Sequence, residues 1–184
     1  MIHPWCIAYI GVGSNLGDKI KNCALAIQQL HTHPLCEVLR VSSFYETEPI
    51  TKTPISAGGW YVNAAVKIRT RLNAVKLLQF LLDTEIQLGR DPLHEKWSPR
   101  PIDLDLLFFN DEIIKTAPLR VPHPELHKRR FVLEPLVEIA PDLVHPVKGK
   151  KIETLLHQLN DNNKVVPLFR FYLSRNAAES FGQT

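Results

Sequence analysis

The stretch Lys96-Trp97-Ser98-Pro99-Arg100-Pro101-Ile102-Asp103-Leu104-Asp105-Leu106-Leu107-Phe108-Phe109 decides most of what the sequence says about fold and function. From Leu104 onward it reads as a strand: bulky, apolar and free of Gly and Pro until Asn110-Asp111 breaks it. Side chains alternate along a strand, so Asp103 and Asp105 share one face with about 7 Å between their Cα atoms. Two carboxylates leading into an oily strand are costly to bury unless something neutralises them. A pair of divalent cations, each taking oxygen ligands, would do so. Arg100, behind a proline-stiffened turn, adds positive charge beside the pair, and metal, Arg100 and Lys96 around one spot suggest a phosphate-bearing substrate. A plainer reading is a solvated strand start with Arg100 as its ion-pair partner. Asp-x-Asp alone does not separate the two; the Trp-x-Pro-Arg turn ahead and the apolar strand behind make the pattern more specific.

Upstream, Arg90 to Pro101 reads as a charged loop. Before it, Asn73 to Leu88 is a helix with Val75, Leu78, Leu82 and Ile86 as its apolar stripe, stopped by Gly89. Trp60 to Thr70 alternates as a strand, with Val62, Ala64, Val66 and Ile68 on one face and Tyr61, Asn63 and Ala65 on the other. A ring beside an amide on one strand face could hold a flat heterocycle; a cross-strand aromatic with a turn-capping Asn is the alternative. Thr47 to Gly59, with Pro49, Pro54, Gly58 and Gly59, is a loop long enough to be functional. Glu37 to Tyr45 reads as a half-buried strand, and Ile20 to Leu30 as an amphipathic helix ended by His31-Thr32-His33-Pro34. Cys6 to Val12 is a buried strand. The glycines after it form a turn with an Asn15 or Asp18 helix cap, not a dinucleotide loop, because the expected acidic residue about 20 positions later is missing. Strand, helix, strand, strand, helix, strand predicts an α+β fold. It is the ferredoxin-like split βαβ arrangement, an antiparallel four-stranded sheet with both helices on one face and the other face left for a site.

Downstream come C-terminal additions: a possible edge strand over Glu112 to Lys115, the proline-extended Val121-Pro122-His123-Pro124, and a basic turn of His127, Lys128, Arg129 and Arg130. A helix over Phe131 to Ile139, a short helix over Ile152 to Leu159, a β-like run Val165 to Leu173 and a frayed polar end over 174–184 follow. No linker, repeat or low-complexity segment divides the 184 residues, so one domain with its own core is expected.

A net charge of only +3 argues against nucleic acid and anionic membranes as partners. No apolar run approaches the ~20 residues of a membrane span. Nothing at the N-terminus reads as a secretory signal, and Cys6, Cys23 and Cys36 lack metal-type spacing, so reduced thiols in a cytoplasmic protein are expected.

The central stretch closely resembles the signature of the 6-hydroxymethyl-7,8-dihydropterin pyrophosphokinases of folate biosynthesis. Other pieces resemble the family in order and spacing: Tyr9-Ile10-Gly11-Val12-Gly13-Ser14-Asn15-Leu16-Gly17, Ser42-Ser43-Phe44-Tyr45-Glu46-Thr47-Glu48-Pro49, Tyr61-Val62-Asn63-Ala64, Val121-Pro122-His123-Pro124 and Arg129-Arg130-Phe131. The likeness runs from about Ile7 to the Leu155 region, a core of about 7–160. It implies diphosphate transfer from ATP to the pterin alcohol, giving AMP, with the hydroxyl attacking the β-phosphorus in line. Asp103 and Asp105 would hold two Mg²⁺ ions; Arg90 and Arg100 would join them as catalytic groups. Glu85, Arg90, Lys96, Arg100, His123 and Arg129 would contact ATP. Gly13, Thr47, Ile50, Tyr61, Asn63, Trp97 and Phe131 would form the pterin site, with Trp97 closing over it. ATP and the pterin are then the partners of a protein that binds neither nucleic acid nor membrane and works as a monomer.

Two departures stand out: Ser98 where the family has Gly or Ala, and Pro92 where relatives carry a further Arg, which thins the cationic lid. A phosphodiester-cleaving metalloenzyme and an RNA-binding ferredoxin-like module are rival readings. Neither accounts for Tyr61, Asn63, the paired aspartates and two long loops together, and aspartates on an open sheet would repel RNA phosphate.

Overall fold

The computed structural model describes residues 4–49, 59–93 and 98–173. Expectations for Ile50, Lys96, Trp97 and the 174–184 end lie outside the described residues. The chain runs β1 (Cys6–Ser14), α1 (Lys19–Thr32), β2 (Cys36–Val41), β3 (Ser43–Thr47), β4 (Tyr61–Thr70), α2 (Ala74–Gln87) and β5 (Asp103–Phe109). Beyond it lie β6 (Ile114–Lys115), β7 (Arg120–Val121), a 3-10 turn (Leu126–Lys128), α3 (Arg130–Ile139), β8 (Val144–His145), β9 (Lys150–Lys151), α4 (Ile152–His157) and β10 (Val165–Arg170).

The sheet is antiparallel throughout and has six strands rather than four, in the order β10-β3-β4-β1-β5 with β2 also on β4. Two changes account for the extra strands. The single strand expected over 37–45 breaks at Ser42, whose hydroxyl accepts from Ala65 N and whose amide donates to Ala65 O, so β2 and β3 pair with different stretches of β4. The C-terminal apolar run then adds to the outer side of β3, with Val165 opposite Thr47 and a register shift after Pro167. The segment expected as an edge strand near Lys115 instead pairs with β7 in a separate two-stranded ribbon.

The helix starts follow from side-chain caps. Asp18, not Asn15, accepts from Lys21 N to open α1, and Asn73 accepts from Lys76 N to open α2. The buried face of α2 differs from the expected stripe: Ala74, Leu77, Leu81, Thr84 and Glu85 face inward, while Val75, Leu82 and Ile86 are 65%, 39% and 51% exposed. Close approach to the sheet favours the face bearing small residues, and the buried Glu85 finds non-local partners described below.

Alternation along the strands sends Ala8, Ile10, Val12, Val62, Ala64, Val66, Ile68, Leu104 and Leu106 into a core under α1 and α2. The opposite face, expected to be open, is covered in part. Tyr9, Ala65, Leu107 and Phe108 pack with Leu126, Val132, Leu133, Leu136 and Ile139, and α4 closes this second core. Leu107 and Phe108 reach the same side because β5 bulges against Tyr9 and Ile10. Among the described residues, what remains uncovered on this face is the sheet end just past the start of α3.

Candidate active site

Asp103 and Asp105 open β5 on the α3 side of the sheet, where β1 places Gly13 opposite Asp103 and Gly11 opposite Asp105. With no side chain on either glycine, a narrow cleft opens, lined by Gly13, Asn63, Asp103, Asp105 and Phe131 among others. A second, larger cleft of about 310 Å³ adjoins it, lined by Glu85, Arg90, Asp103, Asp105 and His123 with Leu78, Leu82, Pro118 and Leu119.

The two carboxylates sit in different surroundings. Asp103 Oδ1 accepts from Arg90 Nη1 at 2.7 Å and Oδ2 from Arg100 Nη2 at 2.9 Å. Asp105 has, among the described residues, only His123 Nε2 as an ion-pair neighbour, 4.0 Å from Oδ1. Lost hydration and then the charge of Asp103 raise the Asp105 pKa well above the usual carboxylate range, against the pull of Arg129, Arg100 and Arg90.

Glu85 is 3% exposed, and its Oε1 accepts from both Arg90 Nη1 and Leu104 N at 2.5 Å. Burial pushes its pKa up to about 7, opposed by the Leu104 N–H and Arg90. Glu85 thus holds Arg90 and the start of β5. His123 Nδ1 accepts from Glu125 N at 3.3 Å, which leaves the Nε2 proton facing Asp105. Burial and then Arg129 pull its pKa down to about 4, so at neutral pH His123 is an uncharged hydrogen-bond donor.

Arg100 is held from a distance. Asn15 Oδ1 accepts from Arg100 N at 2.8 Å, and Asn15 N donates to Arg100 O at 3.3 Å. The sequence offers Asn15 or Asp18 as the helix cap; Asp18 fills that role, and the partner of Asn15 lies 85 residues away, where no local pattern signals it. Arg100 Nε is buried with no acceptor among the described residues, a donor left over for an anionic ligand.

The other end of the site is uncharged. Asn63 pairs with Tyr45 and Gly13 across β4, and its Nδ2 donates to Thr47 Oγ1 at 2.7 Å. Its Oδ1 lies so close over Gly13 that a Cβ there would meet it at 2.7 Å. Phe131 projects from the first turn of α3, with the Arg129 guanidinium 5.9 Å from its ring centre. Tyr61 is half-buried at the start of β4, opposite Thr47.

Two carboxylates on one face suit a divalent cation. Among the described residues no group of three or more His, Cys, Asp and Glu side chains is placed to hold a metal, so further ligands would have to come from water or phosphate, which Mg²⁺ accepts readily.

Acidic strand residues, arginines and an uncharged, aromatic-edged slot thus meet on this antiparallel α+β scaffold. The sequence model of the 7,8-dihydro-6-hydroxymethylpterin-pyrophosphokinase (HPPK) family matches residues 9–141. The chain belongs to the HPPK family. It is 44% identical over 133 residues to the 2-amino-4-hydroxy-6-hydroxymethyldihydropteridine pyrophosphokinase of Bacillus subtilis, covering 72% of this chain and 77% of that one. The enzyme of the same name from Synechocystis is 41% identical over 153 residues, 83% of this chain and 76% of the other. A Plasmodium falciparum HPPK-DHPS crystal structure superposes with a TM-score of 0.67 at 17% identity, over 93% of this chain and 50% of that one. The chain therefore spans about half the length of that structure, which supports the fold alone. Among the described residues no helix is long and apolar enough to cross a membrane.

Proposed function

We propose that the protein transfers the terminal diphosphate of ATP to the hydroxymethyl group of 6-hydroxymethyl-7,8-dihydropterin, releasing AMP and the pterin diphosphate in folate biosynthesis. The observation that carries this is the junction of two unlike clefts at Asp103 and Asp105, one bearing Arg90, Arg120 and His123 and the other Gly13, Asn63 and Phe131. The pterin lies in the slot over Gly13, with Asn63 and Thr47 at its polar edge and Tyr61 and Phe131 against its ring; the family resemblance adds Ile50 and Trp97 as further contacts. Its hydroxyl then points at the Asp pair, and the ATP phosphates run toward Arg90, Arg100, Arg129 and Lys96, with His123 donating through Nε2.

Asp103 and Asp105 would hold two Mg²⁺ ions, which supply charge neutralisation to the polyphosphate. The hydroxyl oxygen attacks the β-phosphorus as its proton leaves to solvent, and the bond from that phosphorus to the oxygen bridging it to the α-phosphorus breaks in line. The arginines neutralise the departing AMP. Catalysis then rests on positioning and charge rather than on a covalent intermediate. With a cation held by Asp103, Arg90 and Arg100 would be able to turn from that carboxylate to the phosphates. The same reading takes the core as ferredoxin-like, and the protein as a single-domain, monomeric, cytoplasmic enzyme. Incubation with ATP, Mg²⁺ and the pterin alcohol should yield AMP and the pterin diphosphate in equal amounts. ATP consumed equally fast without the pterin would overturn the assignment.

A further inference from the structure

Resting on the substrate assignment above, we propose that the segment 161–170 is a strap that holds the pterin end of the cleft in shape, with Asp161 as its positioning residue. The segment lies beyond residues 9–141, which the family model matches. Asp161 sits at the N-terminus of α3, where Oδ2 accepts from Arg130 N at 3.0 Å and the main-chain carbonyl accepts from Arg130 Nε at 2.8 Å. The residue in the N-cap position, Arg129, makes no side-chain capping bond, so the cap of α3 comes from 31 residues further along the chain. A carboxylate there satisfies a free N–H and complements the helix dipole. Arg130 stands between Arg129 and Phe131, so the cap fixes the turn that presents both to the cleft.

Three residues later the segment grips the opposite wall. Lys164 N donates to Glu48 Oε2 at 2.9 Å, and Glu48 N donates to Lys164 O at 3.0 Å. From there β10 pairs with β3, setting Val165 opposite Thr47, whose hydroxyl orients Asn63. Asn163 N closes the bend by donating to Asp161 Oδ1 at 2.9 Å. The span 161–164 therefore ties the element bearing Phe131 to the element bearing Thr47. Phe169 and Phe171 anchor the far end against Phe44, with ring centres 5.4 and 5.1 Å away. The polar contacts concentrate beside the cleft although β10 itself is largely exposed, a distribution that suits positioning better than bulk stabilisation.

The test uses the full chain with Asp161→Ala, Asp161→Asn and Glu48→Ala. Dissociation constants are read separately for the pterin alcohol and for ATP, alongside both KM values and the urea midpoint. Asp161→Ala and Glu48→Ala should weaken pterin binding roughly three- to tenfold, the range expected for a lost cap, with less than about a twofold change for ATP. Asp161→Asn, which keeps an acceptor oxygen in place, should recover most of the pterin affinity. Equal losses for both ligands, or a lower urea midpoint with pterin affinity intact, would overturn the proposal and leave the strap a stabilising element only. Failure of the unaltered protein to bind the pterin would instead remove the substrate assignment, and the strap's role with it.

Discussion

At one end of the cleft Arg90 lies between Glu85 and Asp103, and Arg100 holds the other oxygen of Asp103. At the other end Gly13, Asn63, Thr47 and Phe131 carry no charge, and one short hydrogen bond, Asn63 to Thr47, sets the geometry. Asp103 is already satisfied by its own ion pairs, so a ligand that claims it must displace an arginine, while Arg100 Nε remains a donor to be filled. The uncharged end has nothing to exchange, and its affinity depends on shape. Electrostatic substitutions should therefore act on turnover, and steric ones on affinity.

The largest expected effect tests the charged end. Asp103→Ala and Asp105→Ala should each lose 10²-fold or more in kcat, several kcal/mol of transition-state stabilisation. Circular dichroism and urea unfolding of each variant show whether the fold survives, and near-normal turnover in folded protein would refute the metal role. Gly13→Ala probes the other end. Its Cβ would meet Asn63 Oδ1 at 2.7 Å, and Asn63 cannot give way without losing Thr47. Overpacking of this kind costs about 1–3 kcal/mol, so pterin affinity measured by calorimetry should fall roughly tenfold while ATP affinity holds.

The shared face of the two aspartates was legible from the sequence because strand alternation assigns a face to each residue without knowledge of any partner, whereas Gly13, read as part of a turn, lies inside β1. Helices gave less. The α2 sequence offers two apolar stripes, and the bulkier one, through Val75, Leu82 and Ile86, proved to be the outer one. Nothing local reveals that Glu85 can be buried, because the Leu104 N–H that satisfies it lies 19 residues away. The strap shows the same limit: the apolar run over 165–173 was visible, but its pairing with β3 and the Asp161 cap depend on how the chain returns.

A smaller effect comes from that buried carboxylate. With its pKa raised from 4.5 to about 7, folded Glu85 stays protonated where the unfolded chain has already lost the proton. Its contribution to stability is therefore fully present below about pH 4.5 and is lost as pH rises through about 7. Glu85→Gln removes the titration. Measured by urea unfolding, the stability of the unaltered protein relative to the variant should fall by about 1 kcal/mol per pH unit across that window. A pH-independent difference would show that Arg90 keeps Glu85 ionised throughout.

The smallest effect concerns closure over the charged end. An added arginine at Pro92 can pair with phosphate only when the loop is down, so it biases closure by that differential energy. Charged hydrogen bonds contribute ~1.5–3 kcal/mol against ~0.4–1 for a compatible proline. Pro92→Arg should raise kcat/KM for ATP severalfold, with the gain shrinking as salt rises. Unchanged kinetics at low and high salt would exclude a shortage of cations as the limit on closure.

Where the sheet stops has a consequence of a different kind. Its outermost strand, β10, carries Pro167 in the middle and shifts register just after it. A proline lacks the N–H that an incoming strand would use, and a bent edge offers no straight template. Val166, Leu168 and Phe169 are each more than 40% exposed along this rim, a composition that would otherwise invite strand addition from another molecule. Pro167 thus acts as a chain terminator for sheet growth, disfavouring the addition of a further strand along an otherwise oily edge.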